Sequence, residues 1–175
     1  MNNRFIACLI FLGVLLVPIV ARAELKVGDP APDFSLAASD GKTYSLADFR
    51  GKQAVVLAWF PKAYTSGCTL GCKSLAEHGD LLKVFAMRYF MASVDPLADN
   101  KGFAAKSHAD FPLLSDPDKS VAKAYAVLHP PGYAARTTFY IGVDGRILAI
   151  DTHVNPPTSA QDMAATAAKL GIAKR

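Results

Sequence analysis

Ala54-Val55-Val56-Leu57-Ala58-Trp59-Phe60-Pro61-Lys62-Ala63-Tyr64-Thr65-Ser66-Gly67-Cys68-Thr69-Leu70-Gly71-Cys72 is the stretch that decides how this chain folds. Ala54 to Phe60 is continuously apolar and partly β-branched, which suits a strand covered on both faces. Pro61 ends that strand, because it lacks an N–H and fixes φ. From Ser66 a helical pattern begins, with Leu70, Leu75, Leu81, Leu82 and Phe85 as the expected inward positions and Gly79 weakening its middle. Trp59, Phe60 and Tyr64 read as core and pocket wall. Cys68 and Cys72 therefore fall at a strand-to-helix turn.

That position has chemical consequences. Free N–H groups and the positive end of the dipole at a helix N-terminus stabilise a thiolate, and the thiolate is the nucleophilic form of cysteine. Thr65 lies three residues before Cys68, so its hydroxyl can turn toward the sulfur. Cys72 lies four residues after it. In a regular helix such a pair has its Cβ atoms about 5–6 Å apart, whereas a disulfide needs about 3.5–4.5 Å. The pair can close only if the first turns open. A disulfide spanning so short a loop removes little chain entropy, so redox chemistry or metal binding explains the two thiols better than a structural staple does.

Outward from this stretch the chain alternates strand and helix signals. Asp33 to Leu36 and Lys42 to Leu46 flank an Asp40-Gly41 turn and read as a hairpin, followed by a capped helical turn over Ser45–Phe49. Tyr89–Asp95 is a second buried strand, closed by Pro96, and Leu97–His108 is helical. Phe111–Asp116 is a short extended piece, and Asp118 caps a helix through Val127. Thr137–Val143 and Arg146–Thr152 form a hairpin about Asp144-Gly145, and a last helix starts at Thr158 or Ser159 and ends at Gly171. This order predicts an α/β chain of the thioredoxin-like fold: a central mixed β-sheet flanked by helices, with an N-terminal β-hairpin extension.

The 175 residues are 51% apolar and 19% charged with a net charge of +4, which suits a single globular domain. Basic residues are interleaved with acidic ones, so no nucleic-acid groove is expected. Residues 1–23 have the layout of a secretory signal peptide: Arg4, an apolar run from Phe5 to Val20, then Ala21-Arg22-Ala23. Cleavage before Glu24 leaves a single domain over residues 24–175, with Cys68 and Cys72 as its cysteines and no stable membrane insertion. Such a protein is exported, and the bacterial periplasm is the expected compartment.

Pro61-x-x-x-Thr65-x-x-Cys68 matches the active-site motif of the peroxiredoxins. Val27 to Phe34 is similar to the family's N-terminal segment, and Arg136-Thr137-Thr138-Phe139 resembles its arginine strand. The resemblance covers nearly all of residues 24–170 and points to the bacterioferritin-comigratory, PrxQ-type subgroup of the AhpC/TSA family. It implies a peroxidase that needs no cofactor and no metal. Cys68 would attack the peroxide and become a sulfenic acid, Thr65 and Arg136 would polarise the peroxide, and Pro61 would shield the sulfur. Cys72 would condense with the sulfenic acid, and a thioredoxin-like reductant would reopen the disulfide. In many members of the subgroup that second cysteine comes one residue later. The resemblance also implies a monomer.

Two rival readings use the same cysteines. Sco-type copper-binding redoxins share the fold and a Cys-x-x-x-Cys pair, and add a distant histidine. Two thiolates and an imidazole suit copper, but Arg136 stands near the position where that histidine would be expected. A thiol–disulfide oxidoreductase would use Cys-x-x-Cys, one residue tighter. His129 and His153 are weighed as metal ligands against plain solvation, and His78 and His108 as surface residues. Met87 and Met91 read as core.

Overall fold

The structure is a computed structural model that describes residues 24–175. The expected signal segment and Cys8 lie outside the described residues. Among the described residues, no helix is long and apolar enough to cross a membrane.

The apolar run forms β3 (Ala54–Trp59), with every residue buried. It is the inner strand of a mixed sheet that also holds β1 (Ser35–Ala38), β2 (Thr43–Ser45), β4 (Met87–Ser93), β5 (Leu113–Ser115), β6 (Thr137–Ile141) and β7 (Ile147–Asp151). The order across the sheet is β2-β1-β5-β4-β3-β6-β7. The β3–β4 and β4–β5 pairs are parallel and the remaining pairs antiparallel. Helices α1 (Ser66–His78), the short α2 (Asp80–Lys83) and α3 (Leu97–Lys106) make the parallel crossovers; α4 (Ser120–Ala124) and α5 (Ser159–Lys169) complete the set.

Strand alternation divides the interior into two cores. Val56, Ala58, Tyr89 and Met91 face α1, α3 and α5, while Val55, Leu57, Trp59 and Phe90 face α4 and the N-terminal segment. The hairpins turn where expected. Gly41 and Gly145 take left-handed φ values of 82° and 79°, conformations that glycine adopts without steric cost. Thioredoxin-like topology, mixed sheet and N-terminal hairpin all appear as the sequence predicts, and Met87 and Met91 are core.

Some local expectations are corrected. Leu70 and Leu81 face solvent, at 49% and 45% exposure. The buried stripe of α1 is Cys68, Gly71, Cys72 and Leu75, at three- and four-residue spacing, and Leu70 falls off that face. Strand β4 begins at Met87, earlier than predicted, because its ladder with β3 starts at the Ala54–Met87 pair. Asp118 does not cap α4. Buried Asp116 accepts the Ala122 N–H at 2.7 Å and the Ser120 hydroxyl at 3.4 Å instead. Helix α4 stops at Ala124, before Ala126 turns left-handed.

Candidate active site

The site is built where β3 ends. The Phe60 N–H still bonds to the Ala92 carbonyl of β4 at 2.9 Å, and half-buried Pro61 can then donate nothing further. The chain crosses to α1 in a tight loop. The Ala63 N–H donates to the buried Asp95 carboxylate at 2.8 Å. Tyr64 sits at φ 66°, a strained value for a side chain with a Cβ. It is held there by α3: its hydroxyl donates to the Asp99 carbonyl at 3.2 Å, and its ring meets Phe103 edge-on at 5.4 Å. Trp59 and Phe60 are core as expected, whereas Tyr64 is 49% exposed and lies on the surface of α3.

Thr65 is the N-cap residue of α1. Its hydroxyl does not turn to the sulfur as the sequence suggested. It donates to the Lys62 carbonyl at 3.0 Å. Cys68 follows in the first turn of the helix, fully buried. Arg136 reaches it from the segment leading into β6, and its Nη2 donates to the Cys68 Sγ at 3.2 Å. The sheet explains the meeting of residues so far apart in sequence. Thr137 pairs with Trp59, so Arg136 enters the sheet beside the end of β3.

Gly67 leaves room for this contact, since a Cβ there would stand 3.2 Å from Arg136 Nη2. We expect Gly67→Ala to slow reaction of the Cys68 thiol with a small electrophile about three- to tenfold, while helix propensity holds stability level or raises it by up to about 1 kcal/mol. Stopped-flow rates and thermal melts separate the two effects, and an unslowed variant would show that the arginine contact tolerates displacement.

Cys72 lies one turn further along the same continuous helix, and both cysteines are buried and free of any disulfide. Burial pushes its thiol up to about 11. The Ser107 hydroxyl, at the end of α3, draws it partly back, and charge on Cys68 adds to the rise. Ser107 is itself buried, with no oxygen or nitrogen partner for its hydroxyl.

A cavity of about 20 Å³, room for about one water molecule, adjoins Arg136, Gly71, Leu75 and Ser159. Cys68 lines neither this cavity nor the larger clefts of about 460 and 370 Å³. The larger of them opens at Ala54, the far end of β3.

The histidines stay apart from the sulfurs. His129 packs on Tyr133, and His153 Nδ1 meets the Thr152 hydroxyl. Among the described residues, no group of three or more His, Cys, Asp or Glu side chains is placed to hold a metal ion. The copper reading thus finds no third donor beside the cysteines. Of the five expected site residues, Arg136 and Cys68 meet directly, while Pro61, Thr65 and Cys72 lie along the same loop-helix junction as Cys68.

The sequence profile of the AhpC/TSA family matches residues 27–150, which include this whole junction and Arg136. This chain belongs to the AhpC/TSA family. Within that family it is similar to peroxiredoxin Bcp of Escherichia coli, 36% identical over 130 residues, or 70% of this chain and 83% of the relative. It is also 35% identical over 133 residues to a Bcp-type peroxiredoxin of Haemophilus influenzae, covering 72% and 85%. Among solved structures, peroxidoxin BcpB of Mycobacterium tuberculosis superposes with a TM-score of 0.75 at 27% identity, covering 83% of this chain and 97% of that one. A PrxQ from Xylella fastidiosa gives 0.73 at 25% identity, covering 86% and 99%. The chain is a peroxiredoxin of the Bcp/PrxQ type, and peroxiredoxins are thiol peroxidases.

Proposed function

We propose that this peroxiredoxin reduces hydrogen peroxide and small organic hydroperoxides through Cys68. The observation that carries the assignment is the Arg136 guanidinium donating at 3.2 Å to a fully buried sulfur in the first turn of a helix. Cys68 attacks one peroxide oxygen as the thiolate. The O–O bond breaks, the sulfur becomes a sulfenic acid, and the leaving hydroxide or alkoxide takes up a proton as water or alcohol. Arg136 stabilises the charge that develops on the peroxide oxygens, Thr65 binds the peroxide hydroxyl, and Pro61 keeps water from the sulfur.

Cys72 then attacks the sulfenic sulfur, releasing water and forming the Cys68–Cys72 disulfide. Both residues sit in regular helix, so the start of α1 must open for this step. Opening also exposes the Cys72 thiol, whose burial in the closed helix holds it neutral. A thioredoxin-like dithiol returns the pair to thiols. Export to the periplasm and a monomeric state complete the proposal.

The Cys72 step is tested with Cys72→Ser. That variant is expected to react with a first equivalent of peroxide at near the wild-type rate, then to accumulate the sulfinic acid on Cys68, about tenfold more readily than wild type. Intact-mass spectrometry after graded peroxide reads both. Normal cycling of this variant with a protein reductant would remove Cys72 from the mechanism.

A further inference from the structure

One peptide unit in the catalytic loop is held at both ends. The N–H of the Lys62–Ala63 peptide donates to Asp95 Oδ2 at 2.8 Å, and its carbonyl receives the Thr65 hydroxyl at 3.0 Å. From these contacts we infer that Asp95 is a positioning residue for the peroxidase reaction: it orients the Thr65 hydroxyl through this peptide.

A threonine hydroxyl has one proton to donate and two lone pairs that accept. With its proton committed to the Lys62 carbonyl, Thr65 Oγ1 is left as an acceptor. A neutral peroxide carries a hydroxyl proton, so an acceptor at this position suits it, while Arg136, a pure donor, serves the other oxygen. The hydroxyl holds this direction only as long as the carbonyl keeps its own. A planar peptide cannot turn its carbonyl without turning its N–H, and Asp95 fixes the N–H. A carboxylate acceptor also strengthens the bond, and polarisation passes along such a chain to the carbonyl.

Asp95 is suited to this role by its own anchoring. It is 7% exposed and lies just beyond β4. Its N–H donates to the Ser93 hydroxyl at 3.2 Å. Ser93 is in turn bonded by the Asn100 amide at 3.1 Å, and that amide also reaches Ser115 at 2.8 Å. Ser93, Asn100 and Ser115 are all buried. The loop is thereby tied to β4, β5 and α3 rather than to mobile surface groups.

The inference rests on the peroxidatic reading of Cys68 and Thr65, and a double-mutant cycle tests it. In stopped-flow assays with hydrogen peroxide, Asp95→Ala is expected to lower kcat/KM about tenfold, and in a Thr65→Val background the same change is expected to cost less than about threefold, because its target is already gone. Asp95→Asn keeps an acceptor for the Ala63 N–H and recovers most of the loss. Should Asp95→Ala not fold, Asp95→Ser, too short to reach, takes its place. Full additivity with Thr65→Val would overturn the inference, as would an Asp95→Asn variant as slow as the truncation, or a truncation with wild-type rates. A wild-type protein that does not consume peroxide at all would instead overturn the underlying assignment.

Discussion

Replacing Cys68 by serine abolishes peroxide turnover. A hydroxyl of the same shape keeps the helix turn and the packing, but it is not ionised near neutral pH and cannot attack the O–O bond. Loss of an essential nucleophile elsewhere costs on the order of 10³-fold or more, with only background left. The arginine contact of Cys68 makes the expectation sharp, because among the described residues no second thiol has one. Cys72 is buried without an arginine donor, and its thiol stays neutral up to about 11. Peroxide consumption followed with a dithiol reductant measures the effect. Retention of the full rate in Cys68→Ser would place the chemistry elsewhere.

Replacing Arg136 by methionine is the second large expectation. Its Nη2 is the one side-chain donor bonded to Cys68 Sγ among the described residues, and Arg136 also lines the small cavity beside Gly71 and Leu75. Removing a single donor that faces developing charge in a water-excluded site lowers rates by about 10²–10³-fold. Arg136→Lys recovers little of this. A lysine presents one compact charge and cannot offer the forked donors that reach both sulfur and peroxide. The loss should appear in kcat/KM for peroxide, while reduction of a preformed disulfide by a dithiol changes far less. Equal losses in both half-reactions would mean that Arg136 holds the fold and not the reaction.

The two halves of the site differ in how much of them the sequence discloses. Pro61, Thr65 and Cys68 lie within one turn and carry a motif, so their association is local. Arg136 is 68 residues away from Cys68. Only the resemblance pointed to it, because its placement depends on β6 pairing beside β3. That neighbour relation is a long-range choice that hydrophobic periodicity does not encode.

Asp95 carries no motif because its partner is a backbone N–H, 32 residues away, which any residue but proline would supply at that position. Thr65 stands at the start of α1, but its hydroxyl does not turn to the sulfur. A capping residue has several acceptors in reach, and the loop's own Lys62 carbonyl wins.

The fold itself was more legible. Alternating apolar runs and helical segments gave the element order, and Asp-Gly pairs marked both hairpin turns. The errors fell on residues whose hydrophobicity does not decide their face. Leu70 is as apolar as Leu75, yet only the latter lies in the stripe with Cys68 and Cys72. Asp116 and Asp118 are equally good caps on paper. The ladder of β5, ending at Ser115, brings the first of them to α4.

The fate of the two sulfurs after a single equivalent of peroxide tests the peroxidatic role of Cys68 most directly. Reduced protein is exposed to peroxide, quenched with an alkylating reagent, digested and analysed by mass spectrometry. The prediction is a peptide holding Cys68 joined to Cys72 with both thiol hydrogens lost, and an oxygen added to Cys68 alone when Cys72 is serine. Oxidation that leaves Cys68 as a free, alkylated thiol would contradict it.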